Sequence, residues 1–167
     1  MISQGTVSII CGCHSPVHSI LVIKAWIKLY RKFPNWKEAV CIFLHDIGHA
    51  GLNYLDDYEQ KKLHWDLGAY IAHGLFGKWA WDLTAGHCSY SGLPKSKLYY
   101  ADKLSWHVAP RWWLWLNTIF EPKLAVNCHT RMEAVNDFKQ QVALSIGNGR
   151  FCSTHDMYLE RLNGNEL

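Results

Sequence analysis

The chain has no C-x-x-C pair. Its six cysteines (Cys11, Cys13, Cys41, Cys88, Cys128 and Cys152) are scattered. The two thiols of "CGCH", residues 11 to 14, have no distant partner pair and make a poor zinc template. No basic stretch followed by an apolar one opens the chain, which argues against a secretory signal. The cysteines therefore read as reduced, mostly buried thiols of a cytoplasmic protein. No apolar run reaches the ~18 residues of a membrane span. "WWLWLNTIF", residues 112 to 120, is about half that and reads as a core helix. Charge is sparse, at 19% against 49% hydrophobic residues, so the chain is expected to fold rather than stay disordered. The net charge of +3 comes without a basic stripe, which suits an anionic small molecule better than long nucleic acid. There is no internal repeat and no sign of a second domain. Alternating strand patterns are missing too, apart from a short candidate extended segment, "TVSII", residues 6 to 10.

What is present is helical periodicity. Ser15-Pro16 is an N-cap and first-turn pair, and "VHSILVIKAWIKLYRKF" follows with one apolar stripe. Pro34-Asn35 stops it and caps a second helix over 35–48. Further helices are expected over 58–76, 78–87, 96–107, 111–120 and 131–146, the last capped by Thr130 and ended by Gly147. The reading is an all-α bundle of about six or seven helices, one domain over 1–147, with a polar tail over 148–167. Nine tryptophans supply much of its packing. Trp112, Trp113 and Trp115 read as core or as a face for a second copy of the chain.

The stretch "CIFLHDIGHAG", residues 41 to 51, breaks the apolar pattern. His45, Asp46 and His49 fall where more core would be expected, and burying such groups without partners costs several kcal/mol. His45 and His49 are four apart, on one face if the helix continues. Other candidates stand in apolar sequence on other helices: His18 in "VHSILVIKAW", His64 in "KKLHWDLGAYIA", His87 after Gly86, and Asp102 in "YYADKLSW". Four imidazoles and two carboxylates from separate segments suit one or two divalent transition ions, with Asp46 as the natural bridge. Gly68 lies one turn after His64, where a missing side chain admits another helix or a ligand. His14 competes with His18, which is favoured for its place inside the stripe. His73 lies nine residues after His64, about 180° around the helix, and should face away. His107, His129 and His155 read as ordinary histidines, and Lys61 and Lys62 as solvated.

In order, "HSILVIKAW", "LHDIGH", "HWDLGAYIA", "GHCSYSG" and "ADKLS" resemble the motif series of the HD-domain superfamily of metal-dependent phosphohydrolases. The resemblance runs from about His14 to Trp106, and the C-terminal third, where many members differ, carries no family-specific motif and is left unassigned. It implies an all-α HD-domain bundle. It also implies metal ligation by His18, His45, Asp46 and Asp102, with His64 and His87 holding a second ion or contacting substrate. The ion could be Mn, Co, Ni, Fe, Zn or Mg.

The expected substrate is a phosphate ester of a nucleotide, with a deoxynucleoside mono- or triphosphate favoured. Asp46 would act with metal-activated water. Lys103 is the first candidate for balancing phosphoryl charge, ahead of Lys95, Lys97 and Arg111. His49 is expected at the phosphate or the leaving oxygen. A cyclic nucleotide or an oligonucleotide end is the runner-up. The same ligands also serve di-iron oxygenases that look like this chain. A non-catalytic module would be expected to lose ligands, and all six are retained here. No membrane partner is expected.

Overall fold

The computed structural model describes residues 2–53 and 55–147. The expected tail over 148–167, with His155 and Cys152, lies outside them. Among the described residues the chain is all helical, with no strand. The elements run α1 (Gln4–Cys11), α2 (Pro16–Tyr30), α3 (Trp36–Leu44), α4 (Tyr58–Lys62), α5 (Trp65–Phe76), α6 (Lys78–Ala85), α7 (Lys97–Val108), α8 (Arg111–Phe120) and α9 (Arg131–Gly147). Single 3-10 turns cover Ile47–His49, Ser89–Ser91 and Pro122–Ala125.

Local chemistry sets most of these limits. Asn35 accepts from Glu38 N–H while the Glu38 carboxylate accepts from Asn35 N–H, a complete capping box for α3. Ser96 caps α7 through Tyr99 N–H, and Thr130 Oγ1 accepts from Glu133 N–H at the start of α9. Pro16 opens α2, where its missing N–H costs nothing. Arg31 ends α2 with a positive φ of 53°, an uncommon conformation for a residue with a Cβ.

Helix α2 packs along α7, and α5 along α6. The main core joins Val22, Ala25, Trp26 and Leu29 of α2 to Ile42 of α3 and to Leu98, Ala101 and Leu104 of α7. A second cluster joins Leu21, Ala109, Trp113, Leu114 and Val135, and fastens α8 and α9 over the same pair. Of the tryptophan cluster only Trp113 is core, whereas Trp112 is 62% exposed and Trp115 36%. No single described helix is long and apolar enough to cross a membrane.

The structure departs from the sequence reading in three places. "TVSII" is not extended; it lies in α1, whose cap Ser3 accepts from Thr6 N–H. Helix α1 docks so closely that a Cβ on Gly5 would stand 1.8 Å from His49 O. Packing, rather than β-branched composition, decides its conformation. The expected helix over 58–76 is broken between α4 and α5, where His64 Nδ1 takes the Lys61 carbonyl at 2.6 Å. The expected helix over 35–48 ends at Leu44, where His45 Nδ1 takes the Ile42 carbonyl at 2.6 Å. In both cases an imidazole occupies a carbonyl at the helix end, and the chain turns at the histidine. His45 and His49 therefore converge through a turn rather than along one helix face.

Candidate metal centre

The six expected ligands meet at one place. His18 comes from the first turn of α2, His45 and Asp46 from the turn after α3, His64 from the α4–α5 break, His87 from the turn after α6, and Asp102 from the middle of α7. His64 is partly buried and the other five are buried. The glycines permit the approach: a Cβ on Gly68 would lie 2.2 Å from the Leu44 carbonyl, and one on Gly48 would lie 1.9 Å from that of His64. The close approach expected at Gly68 is therefore to the end of α3, the segment that carries His45.

Asp46 sits at the centre. Its Oδ2 lies 3.0 Å from His45 Nε2 and 3.3 Å from His18 Nε2. Its Oδ1 lies 3.6 Å from His87 Nε2 and 4.0 Å from His49 Nε2. Asp102 Oδ1 lies 3.1 Å from His18 Nε2 and 3.9 Å from His45 Nε2, while its Oδ2 accepts from Lys103 Nζ at 2.7 Å. Each carboxylate thus divides its two oxygens between different neighbours, and Asp46 faces both halves of the cluster. Three groups have the composition and spacing to hold a metal ion: His18, His45 and Asp102; Asp46, His64 and His87; and His14, Asp46 and His49. Within each group the donor atoms lie within 4.8 Å of one another. Among the described residues no cysteine joins such a group, and the five described cysteines form no disulfide.

The histidine tautomers test whether an ion fits. A carbonyl oxygen only accepts, so the Nδ1 that meets it must carry the hydrogen. That holds for His45 at Ile42 O, for His64 at Lys61 O (2.6 Å), and for His87 at Thr84 O (2.5 Å). Whenever such a ring is neutral, it presents a bare Nε2 lone pair. His64 Nε2 and His87 Nε2 face each other at 3.2 Å. Two lone pairs at that distance repel unless a proton or a cation lies between them. Two nitrogens bound to one ion at ~2.1 Å, at tetrahedral or octahedral angles, stand about 3.0–3.4 Å apart. His45 Nε2 faces the Asp46 carboxylate at 3.0 Å, where a proton or a cation can lie between them. Backbone carbonyls that fix the tautomer are the usual outer support of metal-ligating imidazoles. The residues fit a metal ion.

The electrostatics show how strongly the two carboxylates draw positive charge into the cluster, as a proton or as a cation. Burial would push His45 down, but Asp46 and Asp102 overcome it and raise it to about 10. His18 is raised in the same way, burial opposing and its hydrogen bonds to Asp102 and Asp46 prevailing. Burial would raise Asp46, yet His45 and His14 hold it well below the usual carboxylate range. Asp102 is likewise held low against its burial, chiefly by Lys103. Two buried carboxylates therefore demand positive charge around them, which a divalent ion supplies. His64 and His49 behave oppositely. Burial and the neighbouring imidazoles press each down to about 3. Both stay neutral and keep a lone pair available.

His49 lies between two rings, 3.9 Å from His14 and 4.4 Å from His64. It lines a cavity of about 360 Å³ together with His14, Asp46, His64, Asp102 and Lys103. Lys103 thus belongs to the cavity, although its ammonium is already paired with Asp102. Of the other candidate cations, Lys95 lies over the Tyr99 ring at 4.5 Å and Lys97 over Tyr30 at 5.7 Å. Neither they nor the exposed Arg111 lines the cavity. Lys61, expected as a solvated side chain, is exposed but stands in the cavity wall. His73 is exposed, as its helical offset requires.

Sequence reasoning passed over His14, which lost to His18 on pattern alone. Its Nδ1 lies 2.7 Å from Ser8 Oγ, and that hydroxyl donates to Glu121 Oε1 at 3.1 Å. Glu121 also accepts from Cys13 N–H at 2.6 Å. A buried carboxylate from beyond α8 thus holds the loop carrying His14. No periodicity links residues 8, 14 and 121, so no pattern could have found this. Asn117, in the apolar part of the cavity wall, was missed for the same reason.

Comparison with family models, with curated proteins and with solved structures found no match to this chain.

Replacing His64 and His87 together by Ala is expected to lower metal stoichiometry from two towards one. His18, His45, Asp46 and Asp102 should keep the remaining ion. Elemental analysis of the purified double variant checks this. Unchanged stoichiometry, or a wild type that binds one ion, would make the pair substrate or packing residues.

Proposed function

We propose that the cavity is the active site of a metal-dependent phosphohydrolase acting on a phosphate ester of a nucleotide, with a deoxynucleoside mono- or triphosphate favoured. The observation that carries the reading is the convergence of His18, His45, Asp46, His64, His87 and Asp102 beside a cavity that also holds Lys103. The ordered resemblance to the HD-domain superfamily supports the same assignment. His18, His45, Asp46 and Asp102 would hold one ion, and Asp46, His64 and His87 a second. Such ions lower the pKa of water towards neutrality and polarise a phosphoryl oxygen.

The chain's own groups have separate tasks. Asp46 lines the cavity and can accept a hydrogen bond from the attacking water. Lys103, raised above its ordinary value by Asp102 despite partial burial, stays an ammonium. It is held near the reacting phosphoryl group, where charge develops. Lys61 at the cavity wall offers a second cation for an anionic substrate. His49 is neutral, so it can donate one N–H to a phosphoryl or leaving oxygen without bringing charge. A cyclic nucleotide or an oligonucleotide end would use the same groups.

Elemental analysis followed by a phosphate-release screen over nucleotides with manganese, cobalt, nickel and magnesium tests the proposal. Phosphate release that depends on added metal is expected. Bound iron with oxygen uptake and no phosphate release would replace this reading by a di-iron oxygenase.

A further inference from the structure

The cavity has two unlike ends. One is the His/Asp cluster with Lys103. The other is built by Leu114 of α8, Leu124 of the 3-10 turn that follows it, and Val135, Phe138 and Val142 of α9. Residues 135, 138 and 142 recur at the spacing of one helical face. None of the charged residues that line the cavity comes from α8 or from anything after it. Phe138 is 40% exposed and Leu124 38%, so this wall leaves apolar surface uncovered. Two polar side chains stand in the same wall, and both are spoken for. Thr118 is 4% exposed and donates to the Trp115 carbonyl at 2.7 Å. Asn117 is 1% exposed, and its side chain pairs with the Cys13 thiol. Among the described residues, this end therefore meets a ligand with apolar surface.

Such a wall selects by polarity and shape. A ligand group placed against it gains by leaving water if it is apolar. If it carries hydroxyls, it gives up hydrogen bonds with water and finds none in return. A polyol is disfavoured on that ground. A flat ring system is favoured, and Phe138 gives it an aromatic neighbour. The cavity volume of about 360 Å³ stands near the lower limit of small-molecule sites, so one compact ligand fills it. We infer that this end binds the organic half of the phosphate ester as a flat, weakly polar ring system, held by apolar contact, with Phe138 as a specificity-determining residue. A nucleobase meets that description, and a plain aryl group meets it equally. Sugar phosphates and other polyol phosphates do not, and the hydrogen-bonding edge of the ring goes unread. The inference deepens the phosphohydrolase reading, on which only the anionic end of the ligand rests. It also gives the C-terminal third, which carries none of the motifs, a share of the site.

Naphthol and naphthylphosphonate separate the two claims. The first is a ring without an anionic group. The second adds a phosphonate through a carbon–phosphorus bond, which is no phosphate ester, so it binds without turnover. Calorimetric titration of the full chain should show binding of naphthol. Naphthylphosphonate should bind at least about tenfold more tightly than methylphosphonate, as expected for burying a ring. Ribose phosphate should bind no more tightly than methylphosphonate. Adenosine and guanosine, which differ in their edges and not in ring size, should differ by less than about tenfold. Phe138→Ala should weaken naphthol at least about threefold and leave methylphosphonate unchanged. Ala134→Leu, which fills the same wall from α9, should weaken naphthol as well. The half-exposed Phe138 carries the test should the leucine variant fail to fold. No binding of naphthol, or naphthylphosphonate bound no better than methylphosphonate or ribose phosphate, would overturn the inference. So would naphthol binding unaltered by Phe138→Ala, or a larger gap between adenosine and guanosine, which would mean that an edge is read. Absence of phosphate release alone would count against the hydrolase and leave these titrations standing.

Discussion

Asp46→Ala is expected to remove bound metal and to end phosphate-ester turnover, with the helical circular dichroism nearly unchanged. The two oxygens of Asp46 face different halves of the cluster, His18 and His45 on one side and His87 and His49 on the other. Its loss therefore affects both proposed ions, unlike loss of any single imidazole. Removing a group that merely supports a ligand already costs about 10–100-fold in affinity or activity, so loss of the shared ligand should exceed that. The fold should survive because the packing of α2 against α3 and α7 runs through Val22, Trp26, Ile42 and Leu98, not through Asp46. Asp46→Asn is the control. It keeps the volume and one acceptor, and should retain partial metal content at much reduced turnover. Metal content and kcat measured on both variants decide the matter, and a fully active Asp46→Ala would place the chemistry elsewhere.

Lys103→Ala is expected to lower kcat/KM by about 2–4 kcal/mol in barrier terms, the cost of losing one donor to developing charge. Metal content should not fall. An ammonium has only donors, so Lys103 cannot be a ligand. It binds Asp102 Oδ2 while Oδ1 faces His18 and His45, so its removal leaves the oxygen on the ligand side in place. The side chain is about a third exposed and part of the cavity wall, which lets the ammonium reach a phosphoryl oxygen. Lys103→Arg should recover only part of the rate, because a guanidinium is larger and its donors point differently. Kinetics of both variants, with metal analysis alongside, check this. Unimpaired Lys103→Ala would leave the pairing with Asp102 as its only task and shift phosphate binding to Lys61 or His49.

The helices and their caps were legible in the sequence because they depend on neighbours a few residues apart. Asn35, Thr130 and Pro16 each act within one turn. The six side chains that meet were legible as candidates for a related reason: a histidine or aspartate in an apolar stripe must be answered by something, and these are answered within one cluster that also takes in His14 and His49. The histidine turns were not legible. Periodicity continues through His45 and His64, and only the ring nitrogens bonding back to Ile42 and Lys61 show that the helices end there. Helix α1 was misjudged because its β-branched residues resemble a strand until it docks, with almost no clearance, on the His49 turn.

The sequence by itself determined that the chain is helical and where most helices start, and it pointed to six side chains that the fold brings together. The tertiary structure alone decided which neighbours each Asp46 oxygen meets, that Lys103 is tied to Asp102, and that His14 joins the cavity beside Ser8 and Glu121. It also decided that α8 and α9 close the cavity with a mostly apolar wall. The first set follows from rules that act over one or two helical turns. The second depends on contacts across as many as 113 positions, as between Ser8 and Glu121, and those distances are set by how whole helices pack.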